Sequence, residues 1–142
     1  MSETVAAGHK AEQAKAYTTG VLLARGGNEW ATVCFFYSAY RAVRCAFNRD
    51  PRLDSDAAAR AVDSNLSAGS RHVNFHNGHP NRGPGVNDVV RYLYPKIWTQ
   101  YELLHAKSVE VRYGTGLIGV TVDQTRELAD AVIAELDGRG LL

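Results

Sequence analysis

Three of the five histidines, His72, His76 and His79, fall within eight positions of one another and are flanked by Arg71 and Arg82. Those residue types suit phosphate chemistry. An imidazole moves a proton near neutral pH, and a guanidinium stabilises negative charge building on a phosphate oxygen. A second basic run, Arg41, Arg44, Arg49 and Arg52, is opposed by one acid, Asp50. Arg41 and Arg44 lie one turn apart on one helical face. Such a cluster can track a phosphate backbone, or it can simply complement the dipole at a helix C-terminus. No metal site is expected. A structural zinc site needs a second ligand pair, His105 stands alone, and Cys34 and Cys45 are separated by about 16 Å of helix. No cofactor is expected either.

The element that must carry the basic run is Trp30 to Asn48, the most apolar and aromatic stretch of the chain. Val33, Phe36, Tyr40, Val43 and Phe47 recur every three or four residues, which defines one face of a helix. Trp30, Cys34 and Tyr37 widen that stripe, as expected of a helix covered on more than one side. An alanine-rich helix from about Ala6 to Ala24 precedes it, with Ala14, Tyr17 and Val21 as its apolar line. Gly26 closes that helix and Asn28 caps the next. So short a connection makes the two antiparallel neighbours.

After Asn48, Pro51 breaks the helix. Asp54 or Ser55 caps a short helix from Asp56 to about Ala68. The stretch Gly69 to Gly85, GSRHVNFHNGHPNRGPG, has neither helical nor strand period and reads as a long loop. Val86 to Leu93 is a short helical piece. Pro95 opens a helix to about Tyr113, with Ile97, Tyr101, Leu104, Ser108 and Val111 as its seam. Thr121 and Gln124 form a capping-box pattern for a final helix, with Val122, Leu128, Val132 and Leu136 inward and Gly138 at its end. The expected fold is all-α, an up-and-down bundle of four or five helices in a single domain spanning residues 1–142.

Composition narrows the class. The hydrophobic fraction is 45%, the charged fraction 22% and the net charge +1, so this is an ordinary globular chain and not a polycation. Twelve of the sixteen basic residues are arginine, the better fork for phosphate, although a GC-rich genome favours arginine as well. No apolar run approaches the roughly 20 residues of a membrane span, and the N-terminus lacks the pattern of a signal peptide. A cytoplasmic location without membrane partners is the expectation.

Several motifs carry a resemblance. Arg71 to His76 has the spacing of an arginine, four residues and a histidine. Trp30-Ala31-Thr32-Val33 with Phe36 to Arg41 comes first in the chain. His79-Pro80-Asn81-Arg82 follows, then Tyr101-Glu102-Leu103-Leu104 leading to Val111-Arg112-Tyr113. In this order, over roughly Asn28 to Leu136, the chain resembles small bacterial proteins of the HEPN (higher eukaryotes and prokaryotes nucleotide-binding) superfamily. Two features depart from the pattern: Arg41 stands where such relatives often carry histidine, and the H-x-x-R lies in a setting rich in glycine and proline.

The resemblance implies a homodimer with a composite site and a nucleic-acid-associated function, as in toxin–antitoxin or defence-type ribonucleases that need no metal. His79 and His76 would be the acid/base groups, and Arg82 and Arg71 the transition-state ligands. Arg41, Arg44 and Arg112 would bind substrate phosphate, with Tyr37 and Tyr113 orienting them. A different class stays open: a non-catalytic bundle that binds a nucleotide or a protein, such as a partner of a minimal nucleotidyltransferase. So does a structural reading, in which Tyr37, Tyr101 and Tyr113 bridge helices by bonding Arg41, Arg112, Glu102 or His79.

Overall fold

The apolar run beginning at Trp30 folds as α2 (Ala31–Arg49), and fourteen of its nineteen residues are buried. That burial needs neighbours on nearly every side, and three long helices supply them: α1 (Ser2–Arg25), α5 (Trp98–Arg112) and α6 (Val122–Gly138). Two shorter helices, α3 (Asp56–Val62) and α4 (Val86–Leu93), lie in the connection between α2 and α5. The computed structural model describes residues 2–142. Among the described residues the fold is six α-helices with two 3-10 turns and no strand.

Side-chain pairs give the helix directions. Glu3 meets Arg49, His9 meets Arg41 and Gln13 meets Ser38, so α1 and α2 run antiparallel. Phe36 meets His105 and Tyr37 meets Arg112 across α2 and α5, while Phe47 meets Tyr94 just before α5, so this pair is antiparallel too. Thr32 bonds Thr125, and Cys45 bonds the carbonyl of Leu141 beyond α6, which makes α2 and α6 parallel. The four long helices therefore alternate along the chain. No helix among the described residues is long and apolar enough to cross a membrane.

Close helix packing has a local cause. Gly20 of α1 faces the Phe35 ring, and a Cβ built there would come within 2.7 Å of Phe35 Cε1. On α5 the expected seam is buried throughout: Ile97, Tyr101, Leu104, Ser108 and Val111. The capping box at α6 forms, with the Gln124 amide donating to Thr121 Oγ1 at 3.1 Å and the Thr121 amide to Gln124 Oε1 at 2.9 Å.

Other expectations shift. Trp30 is 48% exposed, because it precedes the helix and does not join its stripe. Ala14 is exposed on α1, where Ala6, His9 and Gly20 take the buried positions. The third helix stops at Val62, where Asp63 turns extended (φ −157°, ψ 140°). Leu66 still reaches the core, from a turn and not from a helix. Pro95 opens a turn that leads into α5 three residues later.

The 69–85 stretch is shaped rather than loose. A 3-10 turn, Ala68–His72, opens it, and a tight turn closes between His79 and Gly83, whose amides and carbonyls exchange bonds of 3.0 and 2.8 Å. Its end is pinned to α4 by the amides of Val86 and Asn87, which donate to the carbonyls of Phe75 (2.8 Å) and His76 (3.1 Å). Gly85 permits this approach, since a Cβ there would strike the His76 carbonyl and the Asn77 backbone.

Candidate functional site

Tyr37, Tyr40, Arg41 and Arg44 stand at i, i+3, i+4 and i+7 on α2, so helical geometry alone lines them up as one strip. The Tyr37 and Tyr40 rings meet edge to face, 6.1 Å between centroids. Each tyrosine carries guanidinium groups. Arg41 lies 5.8 Å and Arg44 5.6 Å from the Tyr40 ring centre, and Arg44 Nη1 donates to Tyr40 Oη at 3.2 Å. Arg112, from the end of α5, lies 5.8 Å from the Tyr37 ring and donates to its hydroxyl at 3.2 Å. Arg112 also lies against Tyr113, which is 75% exposed.

Among the described residues, none of Arg41, Arg44 and Arg112 meets a carboxylate, whereas Arg49, Arg52, Arg71 and Arg139 all do. Three positive charges thus stand together without counter-charge. Their neighbours register this. His9 of α1 contacts Arg41 Nη1 through Nδ1 at 3.1 Å. Burial, then Arg44 and Arg41, push its pKa down to about 4, so it stays neutral and adds no further charge at pH 7.

His76 and His105 lie on the other side of the strip. Their ring centroids are 4.7 Å apart at an interplanar angle of 30°. Phe36 stacks on His105 at 4.9 Å, and Tyr40 lies 5.1 Å from His76. Asn87 Nδ2 stands 3.4 Å from His105 Nδ1. Burial, His76 and Arg112 bring the pKa of His105 down to about 4, and burial and Arg112 lower that of His76. His76 Nδ1 is sealed from solvent and finds no partner among the described residues, so proton exchange on that ring would pass through Nε2. Tyr101, whose ring centre lies 5.8 Å from that of Phe36, is fully buried, with its hydroxyl unpartnered among the described residues and its pKa raised well above the usual value by burial.

The residues singled out from the sequence are thus spread over three places. His76, Tyr37, Arg41, Arg44, Arg112 and Tyr113 gather around α2 and the end of α5. His79 sits on the exposed turn, where its Nδ1 accepts from the Asn81 amide at 3.1 Å, and Arg82 on the same turn lies 4.9 Å from the Phe75 ring. Arg71 pairs with Asp54 at 2.6 Å and with Ser2 Oγ at 3.2 Å, tying the connection to the start of α1. His72 is exposed. From the sequence, His105 was weighed only as a metal ligand, and His9 was passed over. The signal for His105 was its position four residues after Tyr101, on the seam side of α5.

Two cavities flank the loop and not the histidine pair. One, of about 360 Å³, is lined by Asn65, Ser67, His72, Asn74, Phe75 and Arg82 among others. The second, of about 410 Å³, is lined by Gly78, His79, Pro80, Asp88 and Tyr92. Along the strip Tyr40 is buried and Arg41, Arg44 and Arg112 are half-buried, while Tyr37 and Tyr113 are exposed. No three His, Cys, Asp or Glu side chains converge as metal ligands among the described residues. The fold and this strip define an all-α protein with an uncompensated basic and aromatic face. Comparison of the chain with protein-family models, curated proteins and solved structures found no match.

Proposed function

We propose that this protein is a HEPN-like helical bundle that binds the phosphates of single-stranded RNA or a nucleotide, as a binding module. The observation that carries the reading is the set Arg41, Arg44 and Arg112, held on tyrosine rings and free of carboxylates among the described residues. Guanidinium groups held in place in this way suit phosphate oxygens, and the exposed Tyr37 and Tyr113 rings offer faces on which bases stack. The motif order that resembles HEPN proteins supports the same reading and adds the expectation of a homodimer.

Cleavage is the second reading, favoured by a neutral His76 beside Arg112. Geometry argues against a two-histidine mechanism. In-line displacement places base and acid on opposite sides of the phosphorus, and rings 4.7 Å apart leave no room for a phosphate between them. His76 would have to act alone, as base through Nε2.

Binding of a fluorescent single-stranded RNA, followed by anisotropy across a salt series, tests this. Arg44→Gln and Arg112→Gln should each weaken binding about tenfold and reduce the slope of log K against log salt by about 0.7. The RNA should be recovered intact without added metal. Unchanged affinity in both variants would remove the site. Cleavage lost in His76→Ala would replace binding with catalysis.

A further inference from the structure

Beyond the phosphate-binding face, the polar cavity beside it has the makings of a second site. It measures about 360 Å³, near the small end of ligand pockets, which is room for a nucleobase but not for a bulky cofactor. Val73, Phe75 and Pro84 give it apolar wall, and Asn65, Ser67 and Ser70 give it hydrogen-bonding groups. Arg82 lies 4.9 Å from the Phe75 ring and, among the described residues, pairs with no carboxylate, so its fork stays available. Asn74 joins the cavity to the basic strip. It lines the cavity, and its carbonyl accepts from Tyr40 Oη at 3.2 Å, the hydroxyl that receives Arg44 Nη1 at 3.2 Å.

We propose that this cavity is a nucleobase pocket that selects guanine over adenine from the nucleotide whose phosphate rests on Arg44. The proposal rests on the phosphate-binding reading and adds its base specificity. The selection follows from the chemistry of Arg82. A guanidinium fork has only donors, which match the adjacent O6 and N7 acceptors of guanine. The same edge of adenine sets its N6 amino donor beside N7, so one arm of the fork would meet a donor. An exposed turn residue is also a safe position to change, since Arg82 carries no core packing.

The test is anisotropy of labelled short oligonucleotides of A and of mixed A and G, with wild type, Arg82→Ala and Arg82→Lys. Wild type should bind the G-containing oligonucleotide about tenfold more tightly than that of A. Arg82→Ala should erase that preference, with a larger loss of affinity for the G-containing oligonucleotide than for oligo(A). Arg82→Lys, which keeps the charge and loses the fork, should erase it as well. Equal binding of both by wild type overturns the base pocket and leaves the phosphate site standing. So does a uniform loss of affinity in Arg82→Ala, which would make Arg82 a mere charge. Failure to bind any oligonucleotide overturns both.

Discussion

His9 sits beside Arg41, and His105 packs against both Phe36 and His76, so each imidazole is held neutral where an unfolded chain would charge it. The consequence for stability has a definite sign. Both folded pKa values, about 4, lie below the ordinary value near 6.5, so between these limits the unfolded state binds more protons. Stability from these residues is complete above about pH 6.5 and is lost as the pH falls toward about 4. Thermal unfolding followed over that window should show a falling Tm. His105→Gln and His9→Gln should each remove about one proton from the slope. Parallel slopes in wild type and variants would mean that neither ring is kept neutral by its surroundings.

Gly8 and Gly20 lie on the same helix and separate local propensity from packing. A Cβ at Gly8 has nothing within 4 Å, whereas one at Gly20 collides with a fully buried Phe35. Gly8→Ala should therefore stabilise by about 0.5–1 kcal/mol, through the lower backbone entropy cost of alanine. Gly20→Ala gains the same propensity but overpacks the α1–α2 interface, at a cost of about 1–3 kcal/mol. A net loss near 1 kcal/mol is expected. Urea unfolding of the two variants reads both, and a stabilised Gly20→Ala would show that α1 can move away from α2 at little cost.

Asp50 holds several parts of the molecule together. Its carboxylate, 3% exposed, accepts from Arg52 at 2.8 Å and from Tyr94 Oη at 3.0 Å, joining the end of α2 to the segment before α5. Arg52 also reaches the carbonyl of Leu93, at the end of α4. Burial by itself would raise the Asp50 carboxyl, but the hydrogen bonds and charge of Arg52 and the hydrogen bond from Tyr94 together hold it below its usual range. Breaking a buried pair costs roughly 3–5 kcal/mol, and the partial exposure of Arg52 reduces that. Asp50→Ala should lower unfolding free energy by about 2 kcal/mol or more. A loss under about 0.5 kcal/mol, of the size of a surface change, would deny Asp50 this linking role.

The sequence by itself determined the helices, because the apolar spacing of α2, α5 and α6 and the Thr121–Gln124 cap are local patterns that survive without knowledge of the partners. It also determined that Tyr37, Arg41 and Arg44 share a side of α2, since that follows from 3.6 residues per turn. It could not end α3 at Val62 or delay α5 past Pro95, because those boundaries depend on where Leu66 and Ile97 must sit in the core. Above all, it could not bring His105 to His76 or part Arg71 from it. Those distances come from the crossing of α5 over α2 and from the pairing of Arg71 with Asp54. They depend on side chains far apart in the chain, and no local pattern encodes them.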